Sequence, residues 1–302
     1  MKKWLTSAPD SYWKHMLKLQ TPVDAGTSGV GVSYSDRILV VGSCFADNIG
    51  SKMLNAGFSA AVNPFGTLYN PVSVCNSLRR LGSGIPFSED DCVEMGAGSG
   101  LVCSFSHHTS FARPAAADFL AAANGSLSAA SEFFKTAGRV LVTLGTAWCY
   151  RYAATGETVA NCLKRPEGEF VRYRLSVDEV AALLSRTVSA FPDKKFIFTV
   201  SPIRHLKDTA HGNSLSKSIL LLAVDRVCAM FPDRVEYFPA YEIVLDELRD
   251  YRFYADDMVH PSSLAVDYLW ERFMQFALPA GERETLLARE REYRRSQHRP
   301  LH

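Results

Sequence analysis

Four short apolar runs punctuate the chain, each opening on a basic residue: Arg37 to Val41, Arg139 to Leu144, Lys195 to Val200 and Arg234 to Phe238. Gly42, Gly145 and Ser201-Pro202 close the first three, and continuous runs of this length between turn residues predict strands buried on both faces. Between them the apolar positions change to helical spacing. Ser176 to Phe191 lines up Val177, Val180, Leu183, Leu184 and Val188, and its start, Ser176-Val177-Asp178-Glu179, is a capping-box pattern. Leu215 to Met230 repeats the spacing with Leu220, Ala223, Val224 and Val227. Strands alternating with helices of this length predict βαβ units and a mainly parallel sheet, with right-handed crossovers placing helices on both faces. Ser59 to Val62 reads as a further short strand before Asn63-Pro64-Phe65-Gly66. Gly82 to Gly125, rich in Gly, Ser and Ala without a dominant period, reads as a loop-rich insertion over the sheet. Glu282 to Arg299 is dense in charge of both signs and reads as a solvated helix. The expected organisation is an N-terminal extension over 1–36, one domain over 37–278 with its insertion around 82–125, and a charged helical tail over 279–302.

Composition narrows the function classes. With 302 residues and 47% hydrophobic content the chain can bury a large single core. A formal charge of +1 leaves no electrostatic footprint for nucleic acid. Lys2 and Lys3 are not followed by an apolar segment, and no run approaches the roughly 20 apolar residues of a membrane span, so neither a secretory signal nor a membrane partner is expected. The seven cysteines lack the short paired spacings of a disulfide framework or zinc ribbon. A reducing cytoplasm is the expected location, with Cys44 a free thiol. His107-His108, His205 and His211 have neither metal-ligand spacing nor an accompanying carboxylate cluster, so no metal and no cofactor is expected.

Chemistry concentrates at two distant points. Directly after the first apolar run, Gly42-Ser43-Cys44-Phe45 sets a hydroxyl beside a thiol where a strand ends, and in open parallel sheets ligands bind at the carboxyl ends of strands. Near the other end, Asp257-Met258-Val259-His260-Pro261-Ser262 offers a carboxylate and an imidazole. An Asp beside a His can fix its tautomer and stabilise the imidazolium formed when the other nitrogen takes a proton. Either Cys44 or Ser43 is a candidate nucleophile. A thiol paired with His is readily ionised, and the helix that begins around Ala46 is expected to lower its pKa; Ser43 is equally suited to capping that helix. Gly66 and Gly145 mark further turns, the second within Leu144-Gly145-Thr146-Ala147-Trp148, and backbone N–H groups at Cys44 and Gly66 could face an oxyanion.

Gly42-Ser43-Cys44-Phe45-Ala46 is the signature from which the GSCFA family takes its name, and the chain resembles that family in further blocks. These are Asn63-Pro64-Phe65-Gly66-Thr67-Leu68-Tyr69-Asn70-Pro71, Leu144-Gly145-Thr146-Ala147-Trp148, Ser201-Pro202-Ile203-Arg204-His205, and Tyr251 through Ser262. The family is in turn similar to the SGNH, or GDSL-like, hydrolases. That resemblance implies a three-layer α/β/α, flavodoxin-like fold with a central sheet of about five parallel strands. It places Cys44 on the nucleophilic Ser, Asp257 and His260 on the late Asp-x-x-His block, and Gly66 on the oxyanion-donating Gly. Two departures stand out. Ser is exchanged for Cys, and Ala147 stands where SGNH enzymes have an Asn two places after the Gly. A side-chain donor is therefore either missing or supplied from elsewhere, by Asn63 or Asn161; one lost donor raises the barrier by roughly 2.7–4 kcal/mol, so a weak or specialised enzyme is expected. Thr146, His108, Arg204 and His205 are expected as pocket-lining or structural residues. The activity implied is hydrolysis of an ester through an acyl-enzyme. Its expected partner is an O-acyl (acetyl) group on a carbohydrate or other polar small molecule. An acyltransferase with the same site and a catalytically inactive glycan- or protein-binding module are the alternatives.

Overall fold

The computed structural model describes residues 20–297. Residues 1–19, which hold the start of the expected extension, and residues 298–302, which end the expected charged tail, lie outside the described residues.

Five strands build the main sheet: β1 (Arg37–Gly42), β2 (Ser59–Val62), β3 (Arg139–Leu144), β4 (Lys195–Val200) and β5 (Val235–Tyr237). All pair in parallel, in the spatial order β2-β1-β3-β4-β5. This is the flavodoxin-like order 2-1-3-4-5, whose connections reverse direction between β1 and β3 and open a crevice there. The apolar runs end where the sequence pattern ends them, apart from one residue added to the first and one lost from each end of the last.

Side chains on successive strand positions point to opposite faces, and each face is apolar. Leu39, Val41, Val140, Val142, Leu144, Phe196, Phe198 and Val200 enter one core. Over it lie α2 (Pro71–Ser83), α3 (Ala116–Thr136), α4 (Val177–Ala190) and α5 (Thr209–Met230). Ile38, Val40, Leu141 and Ile197 enter the other, beneath α1 (Cys44–Asn55), α6 (Ser263–Ala277) and the turns around Ile243–Leu248. The result is a three-layer α/β/α sandwich. The final helix, α7 (Arg283–Gln297), is largely exposed, with Leu286 buried and Glu290 accepting from Trp270 Nε1 at 2.7 Å.

Two elements were not legible as such, and one begins earlier than its pattern. Within the stretch read as loop-rich, α3 begins at Ala116. It has no side-chain cap and carries Gly125, yet Phe119, Ala123, Leu127, Ala130 and Phe134 form its buried stripe. α5 starts at Thr209, ahead of its apolar stripe. A three-stranded antiparallel sheet, Trp148–Tyr152 with Thr158–Val159 and Phe170–Arg174, follows β3 directly and rises above the carboxyl edge of the main sheet.

Candidate active site

Gly42 ends β1 at φ +133°, and a Cβ there would stand 2.1 Å from the Thr143 carbonyl oxygen, so only glycine lets the chain leave β1 this close to β3. Its N–H donates to Asn63 Oδ1 at 2.8 Å, and its carbonyl accepts from Leu68 N–H at 2.8 Å. Ser43 is 1% exposed. Its N–H donates to the Thr143 carbonyl, while its hydroxyl pairs with Thr143 Oγ1 at 3.0 Å and accepts from Phe45 N–H. Ser43 is therefore the N-cap of α1, turned into the sheet edge and away from the cavity. Of the two candidate nucleophiles, the structure leaves Cys44 facing open space.

Cys44 is the first residue of α1 and lines a cavity of about 570 Å³ at the carboxyl ends of the strands. His260 lines the same cavity, with Tyr69, Asn70, Thr146, Trp148, Asn161, Arg204 and His205. A second cavity of about 510 Å³, bounded by Arg79, Arg80 and Phe87 of α2 and the insertion, contains neither.

His260 arrives just ahead of Ser262, the N-cap of α6. Its Nδ1 sits 2.7 Å from Asp257 Oδ2, while Asp257 Oδ1 accepts from the N–H groups of Val259 and His260. Hydrogen bonds from the His260 backbone, its ring and the Val259 backbone hold the Asp257 carboxyl down at about 2. The loop is tied to the strand edge by Arg204 N–H, which donates to the Val259 carbonyl at 3.0 Å. Asp257 thus remains ionised and turns one ring nitrogen of His260, leaving Nε2 free of protein partners among the described residues. Cys44 and His260 share the cavity without a hydrogen bond between them.

Burial pushes the Cys44 thiol up to about 11, against the opposing pull of its own N–H, that of Phe45 and the nearby Lys217. The helix N-terminus acts in the expected direction, but desolvation outweighs it, so the resting group is the thiol.

Residues 37–273 match the model of the GSCFA family. The chain belongs to the GSCFA family. No curated protein and no solved structure matches it.

The remaining residues singled out in this GSCFA protein divide between cavity and scaffold. Gly66 N–H donates to the Asn63 carbonyl at 2.7 Å, closing a turn. With φ +77° and His108 Cβ 2.4 Å from where its own Cβ would be, Gly66 is a close-packing glycine, and its donor is already engaged. Asn63 is likewise committed: Oδ1 accepts from Gly42 and Nδ2 donates to Asp47 Oδ1 at 2.6 Å. Neither residue lines the cavity, so both lose the oxyanion role expected of them. His108 caps a short turn, with Nδ1 on Ser110 Oγ at 3.0 Å, and also lies outside the cavity. Gly145 and Thr146 both direct their N–H groups to the Tyr69 carbonyl, at 2.9 and 3.0 Å. Asn161 lines the cavity, its Oδ1 accepting from Leu163 N–H at 2.7 Å. His205 lines it too; burial, then the charge of Lys217, holds its imidazole down at about 4.

Among the described residues no three His, Cys, Asp or Glu side chains are grouped so as to hold a metal ion. His107 is instead buried against Phe65, Phe87, Phe111 and Phe119, with Nδ1 on Ser104 Oγ at 2.7 Å. No helix among the described residues is long and apolar enough to cross a membrane.

Sequence reasoning missed two neighbours of the thiol. Lys217 of α5 is 1% exposed and has no carboxylate partner among the described residues; its Nζ donates to the carbonyls of Gly145 at 2.6 Å and Ser201 at 2.7 Å, bracing the ends of β3 and β4. Burial, then Arg204, holds its ammonium down at about 7. The available signal was its place on the apolar stripe of α5, three residues before Leu220 and seven before Val224. Asn70 was visible only as part of a motif.

Proposed function

We propose that this protein is an ester hydrolase working through a Cys44 acyl-enzyme, with an O-acyl group on a carbohydrate or similar polar small molecule as substrate. The observation that carries this reading is that Cys44 and the Asp257-held His260 line one cavity at the carboxyl ends of β1 and its neighbours. In the mechanism, His260 Nε2 takes the proton from Cys44 Sγ as the ester seats between them. Hydrogen bonds of this kind tighten when substrate binds. The sulfur attacks the carbonyl carbon, negative charge passes to the carbonyl oxygen, and the N–H of Cys44, in the first turn of α1 and without a backbone acceptor among the described residues, is the main-chain donor to it. Collapse expels the alcohol, which receives the proton from His260, and leaves a thioester. Water then attacks the thioester with His260 as base; the acid departs and the thiol is restored. A sugar hydroxyl in place of water makes the same steps an acyl transfer. Trp148, Tyr150 and Tyr69 give the cavity flat apolar faces, and Arg204, Asn161 and Asn70 a polar rim, a lining suited to a sugar ring. Free thiols at all seven cysteines suit a reducing compartment, and we place the protein in the cytoplasm.

One observation favours a second reading, a binding module without turnover: the Cys44 thiol is held protonated and has no hydrogen bond to His260. Turnover of 4-nitrophenyl acetate, with intact-mass detection of an acyl adduct, separates the two. The hydrolase reading expects an acetyl adduct on Cys44 that is absent in Cys44→Ala, and kcat lowered about 100-fold or more in His260→Ala. A wild-type protein that neither acylates nor turns over ester is the binding module.

A further inference from the structure

The tripeptide Leu68-Tyr69-Asn70 is clamped between the ends of two strands. Leu68 N–H donates to the Gly42 carbonyl at 2.8 Å, two residues before Cys44, and the Tyr69 carbonyl accepts from both Gly145 and Thr146 N–H. These bonds hold Asn70 over the β1–β3 crevice. Asn70 is 5% exposed and lines the same cavity as Cys44 and His260. Its Oδ1 accepts from Ser73 N–H at 2.9 Å, which caps α2 and fixes the amide plane. The amide Nδ2 is left with no partner among the described residues. That nitrogen is not one of the fully enclosed unpartnered donors, so it stays open to the cavity, where a substrate oxygen can take the place of water on it.

We propose that Asn70 Nδ2 is the side-chain oxyanion donor of this site, in the role left vacant by Ala147. The assignment rests on the ester-hydrolase reading and deepens it. Competing amides are less suited. Asn63 spends both ends of its amide on Gly42 and Asp47, and Asn161 is half-buried, its amide held among the described residues by the bond from Leu163 N–H within its own loop. Ala147 is fully buried, and its N–H goes to Ser216 Oγ at 2.8 Å. The donor comes from the loop after β2 and is oriented by the capping bond its own carbonyl oxygen makes.

The test uses substitutions that keep the cap and remove the donor. Both Asp and Ser accept at an N-cap, so Asn70→Asp and Asn70→Ser retain the bond to Ser73. Turnover of 4-nitrophenyl acetate is expected to fall about 100- to 1,000-fold in kcat in both. Thermal midpoint should be unchanged, and the neutral Asn70→Ser should be alkylated by iodoacetamide at Cys44 at the wild-type rate, because alkylation develops no oxyanion. Asn161→Ser alters the cavity rim and should act on KM, without reproducing the fall in kcat of a lost oxyanion donor. The proposal is overturned if kcat in Asn70→Ser stays near wild type, if Asn161→Ser shows the loss instead, or if both Asn70 variants fail to fold, which assigns the residue to the cap alone. A wild-type protein without turnover sinks the ester reading itself; turnover that ignores Asn70 sinks only this assignment.

Discussion

Ser43 and Cys44 are adjacent, yet the backbone sends them to opposite sides of the sheet edge. The Ser43 hydroxyl is occupied by Thr143 and by the start of α1, so its removal is a stability experiment. Ser43→Ala should lower stability by about 1–2 kcal/mol, the cost of a lost N-cap, while Cys44 still reacts with iodoacetamide. Thermal melting and mass spectrometry report the two outcomes separately. Cys44 makes the complementary prediction in pH. Its folded pKa is raised to about 11, so the thiolate fraction at neutral pH is small and grows as pH rises through the alkaline range. Alkylation of the free protein should climb about tenfold per pH unit from pH 8 to 10, as expected for a group titrating above that window. A plateau reached below pH 8 would contradict the raised value. Lys217→Met removes a nearby positive charge that pulls the thiol down, and alkylation at a fixed pH below about 7, where that ammonium is still charged, should slow.

At the level of elements, β1 and its exit were legible because burial on both faces writes a continuous apolar run and Gly42 is required where the chain turns. A Cβ at Gly42 meets the β3 backbone itself, a neighbour that cannot rotate away. Gly42→Ala should therefore cost at least about 3 kcal/mol, a fall in melting temperature of about 6 °C or more, measurable by calorimetry. A melting temperature within a degree of wild type would mean that the two strand ends can separate. α3 was not legible, because an uncapped, alanine-rich helix with an internal glycine carries little local signal and is stabilised by the aromatic core it packs on. The small antiparallel sheet was missed for a related reason: its strands are short and half-buried, so their alternation is weak, but they carry Trp148, Tyr150 and Arg172 to the cavity. Arg172 is anchored there by Asp208 and lies 4.2 Å over the Trp148 ring.

Across the whole molecule, the strand order places the one reversal of the sheet between β1 and β3, and chain segments from five separate regions meet there. The meeting also leaves a charge imbalance. Arg204 lines the cavity with no carboxylate partner among the described residues, and Lys217 lies beneath it in the same condition. Esters bearing an acidic group should therefore be preferred: kcat/KM for a hemisuccinate ester should exceed that for the acetate at low salt. The advantage should shrink with ionic strength and be lost in Arg204→Gln. Equal kcat/KM for the two esters in wild type would show that Arg204 faces no part of the substrate.

The linear chain determined the alternation of strands and helices, the family, and the residue types able to do acyl chemistry, because apolar periodicity and short motifs are local properties. It also placed Asp257 and His260 together, since three residues in one turn suffice to join them. Tertiary structure decided the rest: that Ser43 caps while Cys44 faces the cavity, that desolvation outweighs the helix terminus at the thiol, and that Gly66 and Asn63 spend their donors on the scaffold. Those outcomes depend on which groups burial leaves unpaired, and that is set by neighbours dozens to hundreds of residues away.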